Sequence, residues 1–460
     1  MAVHLFDTLE RRKVPLTTGA PGSVSIYVCG PTVYDVAHVG HGRTTLVFDI
    51  IRRYLEWSGL SVRFVSNVTD IDDKIIARAA AAGEREHEVV ARYETAWWDE
   101  MDRLGVRRPD ATPHATEYVD RMLALIGELI AGGHAYAVPG RGVYFDVMSY
   151  GGYGALSHRG IEQLLESAGA RVDVDDAKRH AIDFALWKSV KPGEPAWDSP
   201  WGPGRPGWHI ECSAMSLDLL GDGFDLHGGG HDLVFPHHEN ERAQAEAAGH
   251  PFARHWIHSG MVEVGGQKMS KSLGNFRTLA DALSTHGPRA LRLAVAQSHY
   301  RRDMDLGDSE LSSAAMSVAR LDALARRAAA QGIDAAGVDA SVEVVEAFRT
   351  EMDDDFGTHK AVAVIFEAVS AANQAVDDHD HARAAVLVRS VVDLAGVLGL
   401  TVDTGTGADH AEQEIDALVA RRDEARNARD FVAADQLRDE LLARGVVLED
   451  TPGGTVWHRP

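Results

Sequence analysis

The sequence predicts a multidomain α/β protein, in which a parallel-sheet core with an insertion is followed by a helical bundle and a small helix and hairpin module. At roughly 100 to 200 residues per domain, a chain of 460 residues forms two to four domains. A strand, a helix and a second strand follow one another within residues 23–65, as in a βαβ unit. From Asp308 to about Leu400 the chain is rich in alanine and periodic for helix, which predicts the bundle.

The composition narrows the classes of function. Hydrophobic residues make up 45% and charged residues 25% of the chain, which excludes collagenous, prion-like and wholly disordered proteins. No apolar run approaches the length of a membrane span and the N-terminus does not resemble a signal peptide, so we expect a cytoplasmic protein with no membrane partner. The net charge of −23 argues against non-specific nucleic-acid binding, so any RNA contact has to use local basic patches.

The first βαβ unit defines the edge at which a ligand is expected. Residues 23–29 alternate between apolar and other side chains and predict a strand that ends at Cys29. An amphipathic helix is predicted over Arg43–Ser58, closed by Gly59, and a second strand over Val62–Val65. Parallel sheets bind ligands where their strands end, so Cys29 and the glycine-bearing loop after it lie at the predicted binding edge.

The later segments predict an insertion in the parallel sheet and a separate terminal module. The mixed pattern from about Pro113 to Asp198 predicts an insertion, and sheet material resumes around Phe224 to His227. Within the insertion we predict two helices, at Tyr118–Ala131 and Gly160–Gly169, a strand at Gly142–Val147 and an ordered loop at Lys191–Gly207. Thr401–Asp409 is predicted to be a linker. The last segment predicts two helices, at Glu412–Arg426 and Phe431–Arg444, and a hairpin of two strands, at Val446–Glu449 and Thr455–Trp457.

Two histidines precede the first helix, in the segment His38-Val-Gly40-His41. A helix N-terminus exposes unpaired N–H groups and the positive end of the helix dipole, which favours phosphate. Gly40 leaves room for a flat base, and the two imidazoles can donate hydrogen bonds as charge develops during phosphoryl or adenylyl transfer. A solvated pair of histidines in a turn is the alternative interpretation of this segment.

Two lysines occur in Lys268-Met-Ser-Lys271-Ser272, after the pair Gly265-Gly266. Such a loop is suited to clamp a triphosphate and to neutralise the pyrophosphate leaving group when it closes. A solvated basic loop is the alternative.

A metal site is the third hypothesis. Pro236 is a good first residue for a helix, so His237 and Glu241 at i and i+4 share one face. With Cys29 at one strand end and Cys212 near another, they form a possible tetrahedral zinc site. Buried thiols, a long-range disulfide and competition from His238, otherwise a surface or outer residue, remain open from spacing alone.

These segments together resemble the cysteinyl-tRNA synthetase family. The matching stretches are Cys29–His41, Trp208–Cys212, His227–Asp232, Phe235–Glu241 and Lys268–Ser272. The resemblance covers nearly the whole chain and implies a class I aminoacyl-tRNA synthetase with a Rossmann catalytic core, an inserted connective domain, an α-helical bundle and a C-terminal anticodon-binding module. On this basis the two halves of the catalytic domain are residues 1–112 and 201–265, and the connective insertion between them is 113–200. The lysine loop with a stem-contact region is 266–308, the bundle is 309–400, the linker is 401–411 and the anticodon-binding module is 412–460.

The resemblance also implies residue roles. His38, Gly40, His41, Lys268 and Lys271 fall on the two signatures that bind ATP and catalyse its reaction. Cys29, Cys212, His237 and Glu241 fall on the zinc ligands, so a disulfide is not expected. The substrate-pocket positions are Thr32, Thr44, Asn67, Thr69, Trp208, Gly230 and Asp232. Among them, Asp232 is expected to pair with the substrate ammonium, Thr69 to hydrogen-bond the aminoacyl-adenylate and Trp208 to wall the pocket, with structural packing as the alternative for each.

The implied reaction joins L-cysteine to ATP, with Mg²⁺, and transfers cysteine from the adenylate to the 3′ end of tRNA(Cys). One Zn²⁺ per chain selects the thiol, and a monomer is expected. A related ligase joins cysteine to glucosaminyl-inositol in mycothiol synthesis; it needs no anticodon reader, whereas this chain continues into the terminal module. An inactive RNA-binding paralogue is disfavoured because both signatures and all four metal positions are intact.

The terminal module is expected to contact the anticodon. Basic and acceptor side chains that can reach unpaired bases surround Phe431, namely Arg421, Arg422, Arg426, Arg429, Asp435 and Asp450. Phe431 either stacks on a base or belongs to the core stripe that continues through Ala434, Leu437 and Leu441. Related synthetases often carry tryptophan here, which weakens the expectation of stacking.

Overall fold

The computed structural model describes residues 3–169, 177–269 and 276–403, and in the terminal segment residues 415, 418–423, 425–426, 430–451 and 454–458. The α-helices, in chain order, are α1 Val39–Trp57, α2 Asp73–Ala82, α3 Glu86–Arg103, α4 Val119–Ala131, α5 Ile161–Gly169, α6 Trp208–Leu220, α7 Glu239–Ala247, α8 Leu279–His286, α9 Pro288–Ala296, α10 Asp308–Ala330, α11 Val342–Asp353, α12 Thr358–Asp377, α13 His381–Val397 and α14 Phe431–Ala443. The strands are β1 His4–Asp7, β2 Arg12–Pro15, β3 Ser23–Val28, β4 Ser61–Ser66, β5 Ala135–Val138, β6 Gly142–Phe145, β7 Phe184–Ser189, β8 Gly204–Pro206, β9 Leu226–Gly230, β10 His255–Ser259, β11 Val262–Val264, β12 Gln267–Lys268, β13 Met304–Asp305, β14 Val447–Thr451 and β15 Gly454–His458.

The central sheet has four parallel strands in the order β10-β9-β3-β4, which confirms the predicted parallel core. The carboxyl ends of all four strands therefore meet at one edge. Cys29 follows β3, Asn67 follows β4, His231 follows β9 and Gly260 follows β10. One buried cluster joins this sheet to α1 and the helical bundle, and a second joins it to the insertion.

The insertion contains a four-stranded antiparallel sheet in the order β5-β6-β7-β8. Strand β8 lies inside the segment expected to be only an ordered loop, because Lys188 pairs with Arg205 across the edge of this sheet. After β13, helices α10 to α13 pack together as the predicted bundle. Strands β14 and β15 form the predicted antiparallel hairpin. Among the described residues, no helix is both long and apolar enough to cross a membrane.

One predicted helix start is wrong. Helix α1 begins at Val39 instead of Arg43, because the His38 ring caps it by accepting hydrogen bonds from the backbone N–H groups of Gly40 and His41. Helix α7 follows a π-helical turn over residues 234–238, in which residue 235 has an extended backbone and the residues from Pro236 onward are helical, as that proline predicts.

Candidate functional site

A cavity of about 360 Å³ opens at the carboxyl edge of the central sheet. Nine of the residues proposed from the sequence line it: Cys29, Thr32, His38, Gly40, His41, Thr44, Trp208, Gly230 and Asp232. Five others do not line it: Asn67, Thr69, Cys212, His237 and Glu241. The Lys268 side chain and the whole of Lys271 lie outside the described residues.

The two signature histidines form one wall of the cavity. Their rings stack with centroids 3.7 Å apart. Besides its capping contacts, His38 donates its own backbone N–H to Nδ1 of His41 at 3.3 Å. The imidazoles are thus held at the start of α1, where Phe276 packs edge-on against His38 and Trp97 packs edge-on against His41.

The segment after the lysine signature pairs with the backbone around His38. Val39 donates its N–H to the carbonyl of Arg277 at 3.3 Å, and Leu279 donates to the carbonyl of Ala37 at 2.9 Å. Strand β12, which ends at Lys268, leads into the signature from the other side. The two signatures are therefore anchored to a common piece of backbone.

Backbone carbonyls beside the cavity are held by one buried arginine. The Arg43 guanidinium on α1 is 1% exposed and donates to the carbonyl of Met261 at 2.6 Å and to that of Tyr300 at 3.2 Å, and also to the carbonyl of Arg302. Since Met261 lines the cavity, Arg43 fixes one side of it from inside the protein.

The predicted pocket residues divide into two groups. Thr44 meets the Ser259 hydroxyl at 2.9 Å, and Gly230 approaches Asp232 so closely that a Cβ on Gly230 would lie 2.5 Å from the carboxylate. Asn67 and Thr69, at 1% and 2% exposure, lie behind the wall instead.

These two residues brace the loop that carries Cys29. Asn67 accepts the Gly30 N–H at 2.9 Å and donates from its amide to the Thr69 hydroxyl at 3.2 Å. Thr69 in turn donates to Glu211 at 3.3 Å. The hydroxyl expected to meet the aminoacyl-adenylate is thus engaged with protein groups in this structure.

A cluster of metal-ligand type lies beside the cavity. The ligand atoms of Cys29, Cys212, His237 and Glu241 all lie within 4.8 Å of one another. The Glu241 oxygen Oε1 is 3.4 Å from the Cys29 sulfur and 3.0 Å from His237 Nε2. With zinc bonds of about 2.0–2.3 Å, the ligand atoms of a tetrahedral site lie about 3.3–3.8 Å apart, so the donor set and its spacing fit zinc.

Three elements bring these donors together. Cys29 directly follows β3, His237 precedes α7 and Glu241 lies within α7. Cys212 lies on α6, six residues beyond the end of β8, so its predicted place near a strand end needs correction. Trp208, at the start of α6, stacks on His237 with ring centroids 4.1 Å apart and also lines the cavity.

A second donor set overlaps the first. Cys29, His227, His238 and Glu241 also bring their ligand atoms within 4.8 Å. Of the two positions expected for His238, the surface position is wrong, since its side chain is fully buried against these donors. However, the second set contains only one thiol. The set with two thiols is the better zinc site because zinc favours thiolate.

Burial controls the charge of these groups. Burial, with smaller effects of His209 and His227, lowers the pKa of His237 well below its usual range. Its ring is therefore neutral near pH 7 and has a lone pair for a metal. Burial and a hydrogen bond with Cys212 raise the pKa of the Cys29 thiol. A bound cation would reverse that shift and deprotonate the thiols.

Two histidines that sequence reasoning left unassigned complete the cluster. His209 Nδ1 is hydrogen-bonded to His237 Nδ1 at 2.9 Å, and His227 holds the outer oxygen of Glu241. His227 was visible in the motif His-Gly-Gly-Gly-His-Asp, whose glycines form the end of the buried strand β9. Nothing in the sequence pairs His209 with a residue 28 positions away.

The expected anticodon contacts are only partly described. Asp435 and Arg426 are exposed on helical segments, whereas the Phe431 and Asp450 side chains and all of Arg429 lie outside the described residues. Arg422 is 7% exposed and donates to Asp423 and Thr455, so it belongs to the module's interior instead of a basic surface. Ala434 and Leu441 are buried, as the core stripe predicts.

Comparisons with known proteins identify the class and then the family. The catalytic-domain family of "tRNA synthetases class I (C)" matches residues 15–316, which makes the chain a class I aminoacyl-tRNA synthetase. A DALR domain matches residues 347–403 and a "Cysteinyl-tRNA ligase anticodon binding domain" matches residues 409–457. The chain belongs to the cysteine–tRNA ligase family, as its resemblance to cysteinyl-tRNA synthetases predicted.

Two relatives illustrate this membership. The chain is 48% identical to the cysteine–tRNA ligase of Halorhodospira halophila over 99% of each chain. It is 49% identical to that of Alkalilimnicola ehrlichii, over 99% of this chain and all of the relative.

Solved structures at lower identity share the fold. The Mycobacterium tuberculosis methionyl-tRNA synthetase in complex with methionyl-adenylate superposes with a TM-score of 0.60 at 16% identity, covering 82% of this chain and 90% of that one. The LeuRS of Agrobacterium radiobacter in a ternary complex gives 0.60 at 12% identity, covering 83% and 84%. These similarities establish a class I synthetase architecture.

Proposed function

We propose that this ligase activates L-cysteine with ATP to cysteinyl-adenylate and then transfers cysteine to the 3′ end of tRNA(Cys), with zinc selecting the thiol. One observation carries this proposal: a donor set containing two thiols adjoins the cavity that is walled by His38 and His41. The group that recognises sulfur and the groups that bind phosphate are thereby within reach of one small substrate.

The histidines and lysines act on the phosphates. His38 and His41 stand at the start of α1, where hydrogen-bond donors meet developing negative charge. Lys268 and Lys271 neutralise the departing pyrophosphate, and Mg²⁺ accompanies ATP. The cysteine carboxylate is the nucleophile, so catalysis consists of positioning and charge stabilisation, and no side chain forms a covalent intermediate.

Cys29, Cys212, His237 and Glu241 would hold one zinc ion per chain. A zinc ion bound there supplies a further coordination position for the substrate thiolate, for which the alcohol of serine is a far weaker ligand. Cys29 lines the cavity while the other three donors lie behind it, so the set faces the substrate from one side. Asp232, which is exposed at the cavity wall, would pair with the substrate ammonium.

Charging assays test the proposal directly. The purified chain is given cysteine, ATP and either tRNA(Cys) or glucosaminyl-inositol, with serine replacing cysteine as a control. We expect cysteine-dependent pyrophosphate exchange and formation of cysteinyl-tRNA. Ligation to glucosaminyl-inositol without tRNA charging would instead identify the mycothiol enzyme, which the anticodon-domain match at residues 409–457 disfavours.

Absorption spectroscopy at the zinc edge tests the metal's role. Adding cysteine is expected to add one sulfur ligand to the metal, and adding serine is expected to leave its coordination unchanged. An unchanged metal environment with cysteine bound would refute thiol selection by zinc, even if all four protein ligands were present. We also propose that the enzyme is a monomer, which sedimentation of the purified chain tests.

A further inference from the structure

A lysine on α2 lines the cavity without an ion-pair partner. Three arginine or lysine side chains of the described part of the chain line it: Arg52, Lys74 and Arg107. Arg52 pairs with Glu56 at 3.0 Å and with Asp110 at 2.9 Å, and Arg107 also pairs with Glu56. Lys74 forms no ion pair with any carboxylate of the described residues. Its charge is therefore available to a ligand.

The position of Lys74 is fixed by its neighbours on α2. Asp72 caps the helix by accepting the Lys74 N–H at 2.9 Å. Asp73 accepts a hydrogen bond from the Lys188 ammonium on β7 at 2.5 Å and another from Arg205 on β8. Because the first turn of α2 is held from the insertion side, the Lys74 side chain is presented to the cavity by a rigid base.

Aromatic and histidine neighbours orient the ammonium. Its nitrogen lies 5.1 Å from the centre of the Tyr34 ring, within the range of a cation–π contact, and Tyr34 lines the same cavity. The Lys74 charge also reaches His41, whose pKa is lowered by burial, by the His38 ring and by this ammonium. Lys74 therefore stands close to the histidine wall.

We propose that Lys74 is a phosphate-binding residue that contacts the triphosphate of ATP during cysteine activation. The inference rests on the proposed function and adds a residue outside both signatures. In a chain with a net charge of −23, a cavity that holds an unneutralised lysine beside two histidines is suited to a polyanion. Phosphates of the tRNA 3′ end offer the same chemistry, and the experiment separates the two sources.

Pyrophosphate exchange without tRNA is the first measurement. Lys74→Met removes the charge at similar length, Lys74→Arg keeps it, and Lys360→Met is the matched control, since Lys360 is an exposed lysine on α12 away from the cavity. We expect Lys74→Met to lower kcat/KM for ATP about 10- to 100-fold while KM for cysteine changes less than about threefold. Lys74→Arg is expected to retain most of the activity, and the control all of it.

Each other result overturns the assignment. Unchanged ATP kinetics in Lys74→Met would exclude contact with the triphosphate, and a defect confined to transfer onto tRNA would place the contact on RNA. Parallel losses for ATP, cysteine and zinc content, shared by Lys74→Arg, would indicate a structural role. Absence of exchange by the unaltered enzyme would instead refute the proposed function, which keeps the two failures distinct.

Discussion

Replacing His209 by alanine tests which of the two donor sets holds zinc. His209 contacts His237 through their Nδ1 atoms at 2.9 Å and contacts neither His227 nor His238 by a hydrogen bond within the described residues. If Nε2 of His237 binds the metal, its Nδ1 carries the proton and donates to His209. Burial, aided by the Lys188 charge, lowers the pKa of His209 to about 3, so its ring is neutral and can accept.

The magnitude follows from the loss of this one hydrogen bond. Removing a partner that orients a metal-binding histidine weakens metal affinity about 10- to 100-fold. That corresponds to about 1.4–2.7 kcal/mol of binding free energy. The Trp208 ring, which stacks on His237, is still present in the variant, so His237 loses the hydrogen bond and the ring contact of His209 but keeps its contact with Trp208.

His258→Ala is the matched control. His258 makes the equivalent contact in the second set, to Nδ1 of His238 at 2.8 Å. Zinc affinity is measured for both variants by competition with a chromogenic chelator, after circular dichroism has shown native folding. We expect weakening in His209→Ala and a change below about threefold in His258→Ala. A larger loss of zinc affinity in His258→Ala than in His209→Ala would refute the two-thiol assignment and favour the set with His227 and His238.

Three further predictions concern buried charges. Burial raises the pKa of Glu100 to about 7, so the folded state loses stability as pH rises from the ordinary carboxyl pKa towards 7; Glu100→Gln should raise the free energy of unfolding more at pH 8 than at pH 4.5, by at most about 3 kcal/mol, and the exposed control Asp339→Asn should not. Arg292→Met leaves the buried Asp49 with only part of its charge compensation, so urea unfolding should show a loss of about 3 kcal/mol; an unchanged midpoint would contradict a structural role for this pair. Arg43→Met frees three carbonyls beside the cavity and should slow pyrophosphate exchange as well as destabilise the fold, whereas a stability loss with normal exchange would confine Arg43 to packing.

Local patterns predicted the sheet because its strands have one dominant environment. Strand β3 alternates in sequence and is buried in the core, so its period-two signal and its end before Cys29 were both readable. The start of α1 was misplaced because His38 is not among the usual capping residues. The helical backbone from Pro236 onward was readable, because proline suits the first turn of a helix.

Side-chain partners across the fold could not be read in the same way. The i, i+4 spacing of His237 and Glu241 was visible, and the two atoms do lie 3.0 Å apart. The hydrogen bond between His209 and His237 depends instead on how α6 packs against α7, which no periodicity encodes. The resemblance to a family placed the four donors on ligand positions, and the second thiol distinguishes them from the competing set.

The connection between β3 and α1 has a consequence for specificity. Cys29 and His38 both belong to this short connection, and both line one cavity. A pocket that selects by size rejects a smaller or isosteric substrate by only about 10- to 200-fold, so serine would be a persistent competitor of cysteine. In the proposed mechanism the metal bond that recognises sulfur also places the carboxylate near the phosphate-binding histidines. A substrate that does not form this bond then loses affinity and alignment together, so selection occurs at activation and requires no separate hydrolytic site.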